Sequence, residues 1–242
     1  MRVEIWSDIA CPWCYVGKAR FDKALAAFPH RDRIEVVHRS FELDPARPKG
    51  DPVLVLPMLA KKYGMSEAQA AEAERNLGQN AAAEGLPYLT EGRDHGSTFD
   101  MHRLLHLAKA RGRQDELLAV LYRANFAETE TVFGDDERLV ALAVEAGLAE
   151  AEAREVLADE QRYAAEVRAD ERAATELGAS GVPFFVLDRR YGVSGAQPAD
   201  DVFTQALTQA WESHVPASGL ATPAGAEGGE ACGPDGCEVP KG

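Results

Sequence analysis

The chain has 242 residues and a formal net charge of −14 at pH 7. That length suits one large domain or two small ones with a full hydrophobic core, and the mixed composition is that of a soluble globular protein. The acidic balance argues against nucleic acid or anionic lipid as partners, and no apolar run reaches the length of a membrane span, so no membrane association is expected.

The first element is a short strand-like run, Val3 to Ile9, which leads directly into Cys11-Pro12-Trp13-Cys14. A residue before proline is pushed out of the helical region, and proline suits the first position of a helix. Cys11 is therefore expected at the N-cap of a helix, Pro12 at its first position, and Cys14 one turn in. Unpaired backbone N–H groups and the helix dipole favour a negative charge there. A thiolate is the nucleophile of disulfide exchange, and a helix N-terminus is one setting that favours it. A spacing of three puts both sulfurs on one face, so the motif reads as a redox dithiol. Two plainer readings compete: half of a zinc site, which Cys232 and Cys237 could complete, or two buried structural thiols. The strand-to-helix junction beside a proline favours the redox reading, with no cofactor and no metal expected. Asp8 could accept the Cys14 proton; the plainer reading is a locally hydrogen-bonded strand-end carboxylate.

The N-terminus does not read as a secretory signal, because Glu4 and Asp8 interrupt the apolar segment and only Arg2 is basic. The expected location is cytoplasmic. Thiols there stay mostly reduced, so four cysteines point to catalysis or metal binding rather than to structural bridges.

The helix after Cys11 carries Cys14, Phe21, Leu25 and Phe28 at about helical period and ends at Pro29. A strand is expected over Ile34 to Phe41. Strand-helix-strand implies a parallel pair with a right-handed crossover. From Val53 to Gly178 the signals are helical only. Ser66 and Gln69 form a capping-box pattern at the start of a helix ending near Gly85. Further helices are expected over Thr98 to Arg111, around Leu117 to Phe126, and from Asp135 or Asp136 to Gly147, with two more before Gly178. Glu67, Glu72 and Glu74 read as a solvated face. His102 and His106 have metal-ligand spacing but lack the glutamate of the metalloprotease pattern, so packing or hydrogen bonding is the favoured role.

Strand character returns at Val182-Pro183-Phe184-Phe185-Val186-Leu187. Asp188-Arg189-Arg190 reads as a hairpin turn and Tyr191 to Ser194 as the return strand. A last helix carries Val202, Phe203, Leu207 and Trp211. The order fits a small mixed sheet, residues 1–52 and 179–215, with an all-helical domain inserted at residues 53–178. Residues 216–242 are rich in Gly, Ala, Pro and Glu and read as a flexible tail. Within it, Cys232-Gly233-Pro234-Asp235-Gly236-Cys237 has the chemistry of a type I turn that brings two sulfurs together. A second dithiol and a metal-binding or incidental pair both stay open.

These features resemble the DsbA family of thioredoxin-fold oxidoreductases, and within it the FrnE-like branch, over about residues 1–215. The resemblance rests on Asp8 to Gly17, on Ser97-Thr98-Phe99-Asp100-Met101-His102-Arg103-Leu104, on Gly181-Val182-Pro183-Phe184-Phe185 and on Tyr191 to Pro198. Ser97 departs from the asparagine expected there. The resemblance implies an α/β thioredoxin fold with a helical insertion. It implies Cys11 as attacking thiolate, Cys14 as resolving thiol and a cis Pro183 facing the dithiol, with the Val182 backbone pairing an extended substrate. Trp13 stands where strongly oxidising members carry His, which implies a couple of roughly −150 to −260 mV. The implied partners are protein or peptide disulfides, with glutathione or thioredoxin as electron partner. The tail cysteines also resemble the FrnE-like branch, and Cys232 and Cys237 are expected to exchange with the first dithiol as an internal relay. Three alternatives remain. One is a glutathione-dependent isomerase like 2-hydroxychromene-2-carboxylate isomerase, although those generally carry Ser at the position of Cys11. The others are a polyketide-pathway role and a binding module for unfolded chains.

Overall fold

A computed structural model describes residues 1–214. Strand β1 (Arg2–Ser7) leads into helix α1 (Pro12–Ala27) and strand β2 (Glu35–Ser40). There follow β3 (Val53–Leu54), α2 (Val55–Tyr63), α3 (Glu67–Ala83), β4 (Asp94–His95), α4 (Phe99–Ala110), α5 (Gln114–Ala127), α6 (Asp136–Glu145), α7 (Glu150–Ala158) and α8 (Ala164–Glu176). The chain then forms β5 (Phe184–Leu187) and β6 (Tyr191–Ser194), passes through a short π-helical turn at Ala199–Phe203, and enters α9 (Thr204–Glu212). No described helix is long and apolar enough to cross a membrane.

The main sheet has the order β2-β1-β5-β6. β1 and β2 are parallel, with Ile5 opposite His38; β5 is antiparallel to β1, with Ile5 opposite Phe185. β1 is central, and alternation along it feeds two cores. Val3 and Ile5 pack with Phe21 of α1, Phe185, Phe203 and Leu207; Trp6 faces the opposite side with Phe184, Val186 and Ala174 of α8. A third core runs through α4 to α7 and continues to Ile9, Cys11, Cys14 and Tyr15. The helical segment thus shares its apolar interior with the start of α1.

Charged residues tie the sheet to α8. Glu4, almost fully buried in β1, accepts from Arg39 of β2 and from Arg189. Burial works to raise its pKa, but the two guanidiniums hold it below the usual carboxylate range. Asp170 of α8 accepts from Arg39 at 2.9 Å and from the Ser40 backbone N–H at 3.1 Å, and its carbonyl takes the Trp6 indole N–H at 2.8 Å. A buried carboxylate with several donors is tolerated where an unpaired one is not.

Two sequence expectations need correction. The stretch from Val53 to Gly178 is not helical throughout: Val53 and Leu54 pair antiparallel with His95 and Asp94. Two-residue strands carry no periodicity to read; their pairing is supplied by a partner forty residues away along the chain. Nor is Glu74 part of a solvated face. It is 2% exposed and receives Tyr88 Oη at 2.9 Å and Arg93 Nη2 at 2.6 Å. Helical spacing placed it with Glu67 and Glu72, but the chain that returns after α3 covers it. The other expected boundaries match closely, including a Ser66–Gln69 capping box and Asp135 as the α6 N-cap.

α1 lies very close to the loop that enters β5. A Cβ at Gly17 would stand 2.9 Å from Pro183 Cγ and 3.3 Å from the Ala196 Cα. Neither neighbour is the far end of a flexible side chain. Gly17→Ala should cost about 1–3 kcal/mol through overpacking, read as a lower denaturant midpoint with an unchanged m value.

Candidate active site

The site forms where β1 hands over to α1. The Cys11 backbone N–H donates to the Asp8 carbonyl at 3.1 Å, which closes the turn. Cys11 is the N-cap of α1 in an extended conformation, φ −90° and ψ 110°, and Pro12 occupies the first turn. The Cys11 sulfur accepts the Cys14 backbone N–H at 3.3 Å, a side-chain cap with sulfur in place of oxygen. On its other side the thiol faces the Val182 carbonyl at 3.7 Å. The Val182–Pro183 bond is cis, and Gly195 N–H donates to the Pro183 carbonyl at 2.8 Å, which holds this loop against β6.

Both cysteines are in the free thiol form. Cys14 is 1% exposed, and burial pushes its thiol well above the usual range, with the neighbouring Cys11 adding to the rise. Trp13 between them is 41% exposed and stands at the mouth of a cavity of about 360 Å³ bordered by Cys11, Val182 and α2. Of the residues expected to form the site, Cys11, Pro12, Trp13, Cys14, Val182 and Pro183 converge here. Cys232 and Cys237 lie outside the described residues.

Asp8 lies fully buried below the dithiol. Its carboxylate accepts the Leu43 N–H at 2.7 Å and the Ala10 N–H at 3.3 Å, and its Oδ1 is 3.4 Å from His102 Nε2. Burial works to raise its pKa, but His102 and the backbone donor hold the carboxyl below its ordinary value. His106 turns elsewhere, to Ser40 Oγ at 3.2 Å and Asp170 Oδ2 at 3.2 Å. The two histidines thus serve different carboxylates instead of converging on one point. Ser97 and Thr98 open α4 without a strong side-chain cap: Ser97 Oγ is 3.5 Å from the Phe99 N–H.

Sequence reasoning did not single out Asn125 and read Tyr122 only as an apolar position of a helix. Asn125 Nδ2 donates to the Ile9 carbonyl at 2.9 Å and so anchors the segment before Cys11 to α5. Tyr122 is buried beside the dithiol, where burial raises its pKa and the nearby cysteines raise it further. The available signal was a lone amide within the apolar stripe of α5, next to Phe126.

The family model of the DSBA-like thioredoxin domain matches residues 2–207. A solved structure described as a probable DsbA oxidoreductase from Streptomyces coelicolor is 69% identical, with a TM-score of 0.90 over 100% of both chains. The uncharacterized protein YwbO of Bacillus subtilis is 29% identical over 209 residues, 86% of this chain and 96% of that protein. The cytosolic disulfide reductase DsbM from Pseudomonas aeruginosa shares the fold at 20% identity and a TM-score of 0.59, over 88% of this chain and 100% of that one.

Two outcomes follow from the geometry. Brief alkylation of the reduced protein at about pH 6 should label Cys11 ahead of Cys14, as peptide mass spectrometry can read, because the Cys14 thiol is buried and resists ionisation. The second concerns Asp8. Its carboxyl is held below its ordinary value in the fold, so its contribution to stability is complete above about pH 4 and is lost as pH falls through the lower folded value. Asp8→Asn should cost about 3 kcal/mol at neutral pH, and urea unfolding of the variant should show a flatter acid limb than the parent.

Proposed function

Because the chain belongs to the DSBA-like thioredoxin domain family, we propose that it is a thiol-disulfide oxidoreductase acting on protein or peptide disulfides through Cys11 and Cys14. The observation that carries this reading is the setting of the Cys11 sulfur. It sits between a helix N-terminal N–H and the Val182 carbonyl, at the edge of a cavity, with a second thiol one turn away.

The steps balance within the dithiol. The Cys11 thiolate attacks one sulfur of the substrate disulfide. A Cys11–substrate bond forms, the substrate S–S bond breaks, and the released substrate thiolate takes up a proton. Cys14 then loses its proton and attacks the Cys11 sulfur. The Cys11–Cys14 disulfide closes, the second substrate thiol leaves, and two electrons have passed to the substrate. Where a different thiolate of the substrate attacks its sulfur in the mixed disulfide instead, a new substrate disulfide forms, Cys11 leaves as thiolate, and the result is isomerisation. A thiol such as glutathione, or a dithiol protein such as thioredoxin, returns the enzyme to its reduced form. Asp8, held in ionised form beneath the pair, is the nearby carboxylate for the Cys14 proton. The Val182 backbone, beside the sulfur, is placed to pair with an extended substrate chain. A cytoplasmic setting, with its reducing thiol pool, suits reduction or isomerisation more than net oxidation.

Cysteine at position 11 supports this reading over a glutathione-dependent isomerase, and an insulin-reduction assay separates the two: only the oxidoreductase reduces insulin. Cys11→Ser should abolish turnover by at least about a thousandfold, whereas Cys14→Ser should accumulate mixed disulfides with substrate, visible on non-reducing gels. Turnover retained in Cys11→Ser would sink the assignment. In this reading Cys232 and Cys237 act as an internal relay for electrons between turnovers. A Cys14→Ser variant, partially oxidised at low protein concentration, should then yield a Cys11 bridge to one of them. Absence of that bridge, with turnover unchanged on deleting the segment from Ala217 onward, removes the relay.

A further inference from the structure

The Cys14 thiol is buried, and it must lose its proton while Cys11 is tied to substrate at the edge of the cavity. A route that avoids that cavity is therefore needed. Asp8, the first acceptor, is buried as well, and His102 Nε2 faces its carboxylate at 3.4 Å. A proton on Asp8 would leave a charged His102 beside a neutral carboxyl. An unpaired charge in the interior is strongly unfavourable, and loss of a proton from the ring removes it. The ring is held loosely enough to do this: His102 is fully buried, yet its Nδ1 has no hydrogen-bond partner among the described residues. A buried polar atom left without a partner calls for an explanation.

The surroundings of His102 lead away from the substrate. Its N–H donates to the Thr98 carbonyl at 3.0 Å, in the first turn of α4. Helical side chains lean toward the helix N-terminus, here toward Ser97 and Phe99, which border a second depression of about 290 Å³ between the starts of α4 and α8. That depression shares no lining residue with the cavity at Cys11. The segment after β2 divides the two. Leu43, whose N–H holds Asp8, borders the first, and its neighbour Glu42 borders the second. The Glu42 carboxylate is buried and pairs with Arg168. Burial pushes its carboxyl above the ordinary value, against Arg168 and the nearby His102, which pull it down. A carboxyl raised in this way exchanges protons closer to neutral pH. Arg47, Lys49 and Arg168 balance Glu42, Asp100 and Glu160 around the depression. The other titratable groups that face the set are Cys14, Tyr122 and His95 toward Asp8, and Glu171 toward Glu42.

We infer that the Cys14 proton leaves through Asp8, His102 and Glu42 into this second depression, so that resolution proceeds while substrate covers the cavity at Cys11. As Cys14 attacks, its proton passes to Asp8, His102 gives up its Nδ1 proton toward Glu42, and Glu42 exchanges it with solvent. One proton is released for each disulfide closed. When a donor thiol reopens the Cys11–Cys14 bond, Asp8 returns its proton to the Cys14 thiolate and the ring regains one from solvent by the same path. His102 and Glu42 act through Asp8 and are positioning residues. This deepens the proposed function and rests on it for Cys14 as the resolving thiol.

The test uses the full chain with Cys232→Ser and Cys237→Ser, which leaves Cys14 as the thiol able to resolve. The reduced protein is mixed with one equivalent of a nitrobenzoate disulfide, whose released thiolate is coloured. The first release reports attack by Cys11 and the second reports closure by Cys14, whether or not the protein acts on polypeptides. His102→Gln keeps a hydrogen-bond donor but cannot titrate. It should slow the second release about tenfold relative to the first and steepen its pH dependence, because solvent hydroxide must then take the proton. Glu42→Gln should slow the second release about threefold relative to the first, concentrated imidazole buffer should restore it, and Glu42→Asp should retain most of it. Both releases slowing together would mark a merely structural role and overturn the relay. So would an unchanged ratio and pH dependence in both variants, or a parent that shows no second release. Failure to reduce insulin, with the ratios shifting as expected, would sink the proposed function and leave the relay standing.

Discussion

The close approach of α1 to the loop before β5 is the constraint on which the site depends. Cys11 caps the helix and faces Val182 at once where the α1 backbone at Gly17 lies so close to Pro183 and Ala196 that a Cβ there would stand 2.9 and 3.3 Å from them. Gly17, one turn beyond Cys14, makes that approach possible by presenting no side chain. The sheet supplies the rest of the geometry. β1 and β5 are adjacent and antiparallel, so the end of β1 and the beginning of β5 lie at the same edge. The cysteine turn and the Pro183 loop are delivered to one place by strand pairing, and the helix then closes the gap between them.

Burial around the dithiol is arranged so that the two thiols differ. Cys11 borders the cavity and has a backbone donor on its sulfur, while Cys14 points into the apolar interior shared with α4 to α7. The same sequence motif therefore yields one sulfur at the edge of the cavity and one enclosed in the interior. The helical segment contributes to this asymmetry directly. Its Asn125 ties down the carbonyl of Ile9, and its His102 pairs with Asp8. Polar anchors in an apolar setting are costly unless satisfied, and here each one fixes a backbone segment that leads into or lies under the dithiol.

The charged network at the other end of the sheet has a comparable role at longer range. Glu4, Arg39 and Asp170 connect β1, β2 and α8, and His106 brings α4 to the same carboxylate. The position of α4, and with it His102 beneath the cysteines, is thereby referenced to the strand that carries the cysteine turn. The helices α2 and α3 stand apart from this arrangement. They contact α1 and the short β3–β4 ladder, and Tyr63 of α2 stays exposed at the rim of the cavity that Cys11 borders. The cysteine turn is thus held by buried polar contacts, whereas the surface beside it exposes apolar side chains and two lysines that make no ion pair with a described residue.

Local pattern determined much of this protein. The Cys11-Pro12 junction specified an N-cap, because proline restricts its predecessor and starts helices. Helix boundaries such as Ser66, Asp135 and Gly112 were legible because capping groups act within a few residues. The relation of Pro183 to the dithiol came from resemblance, since no local rule sets an isomer or brings residue 183 beside residue 11. What only the tertiary structure decided were effects of contact between distant segments. Glu74 looked solvated until Tyr88 and Arg93 folded over it. Asn125 was one amide in an apolar stripe until Ile9 was found beneath it. The pairing of His102 with Asp8, the β3–β4 ladder and the depression over α2 likewise arise where the chain meets itself. Sequence periodicity reports which face of an element is apolar, but burial and partnership of an individual polar side chain depend on what packs against that face.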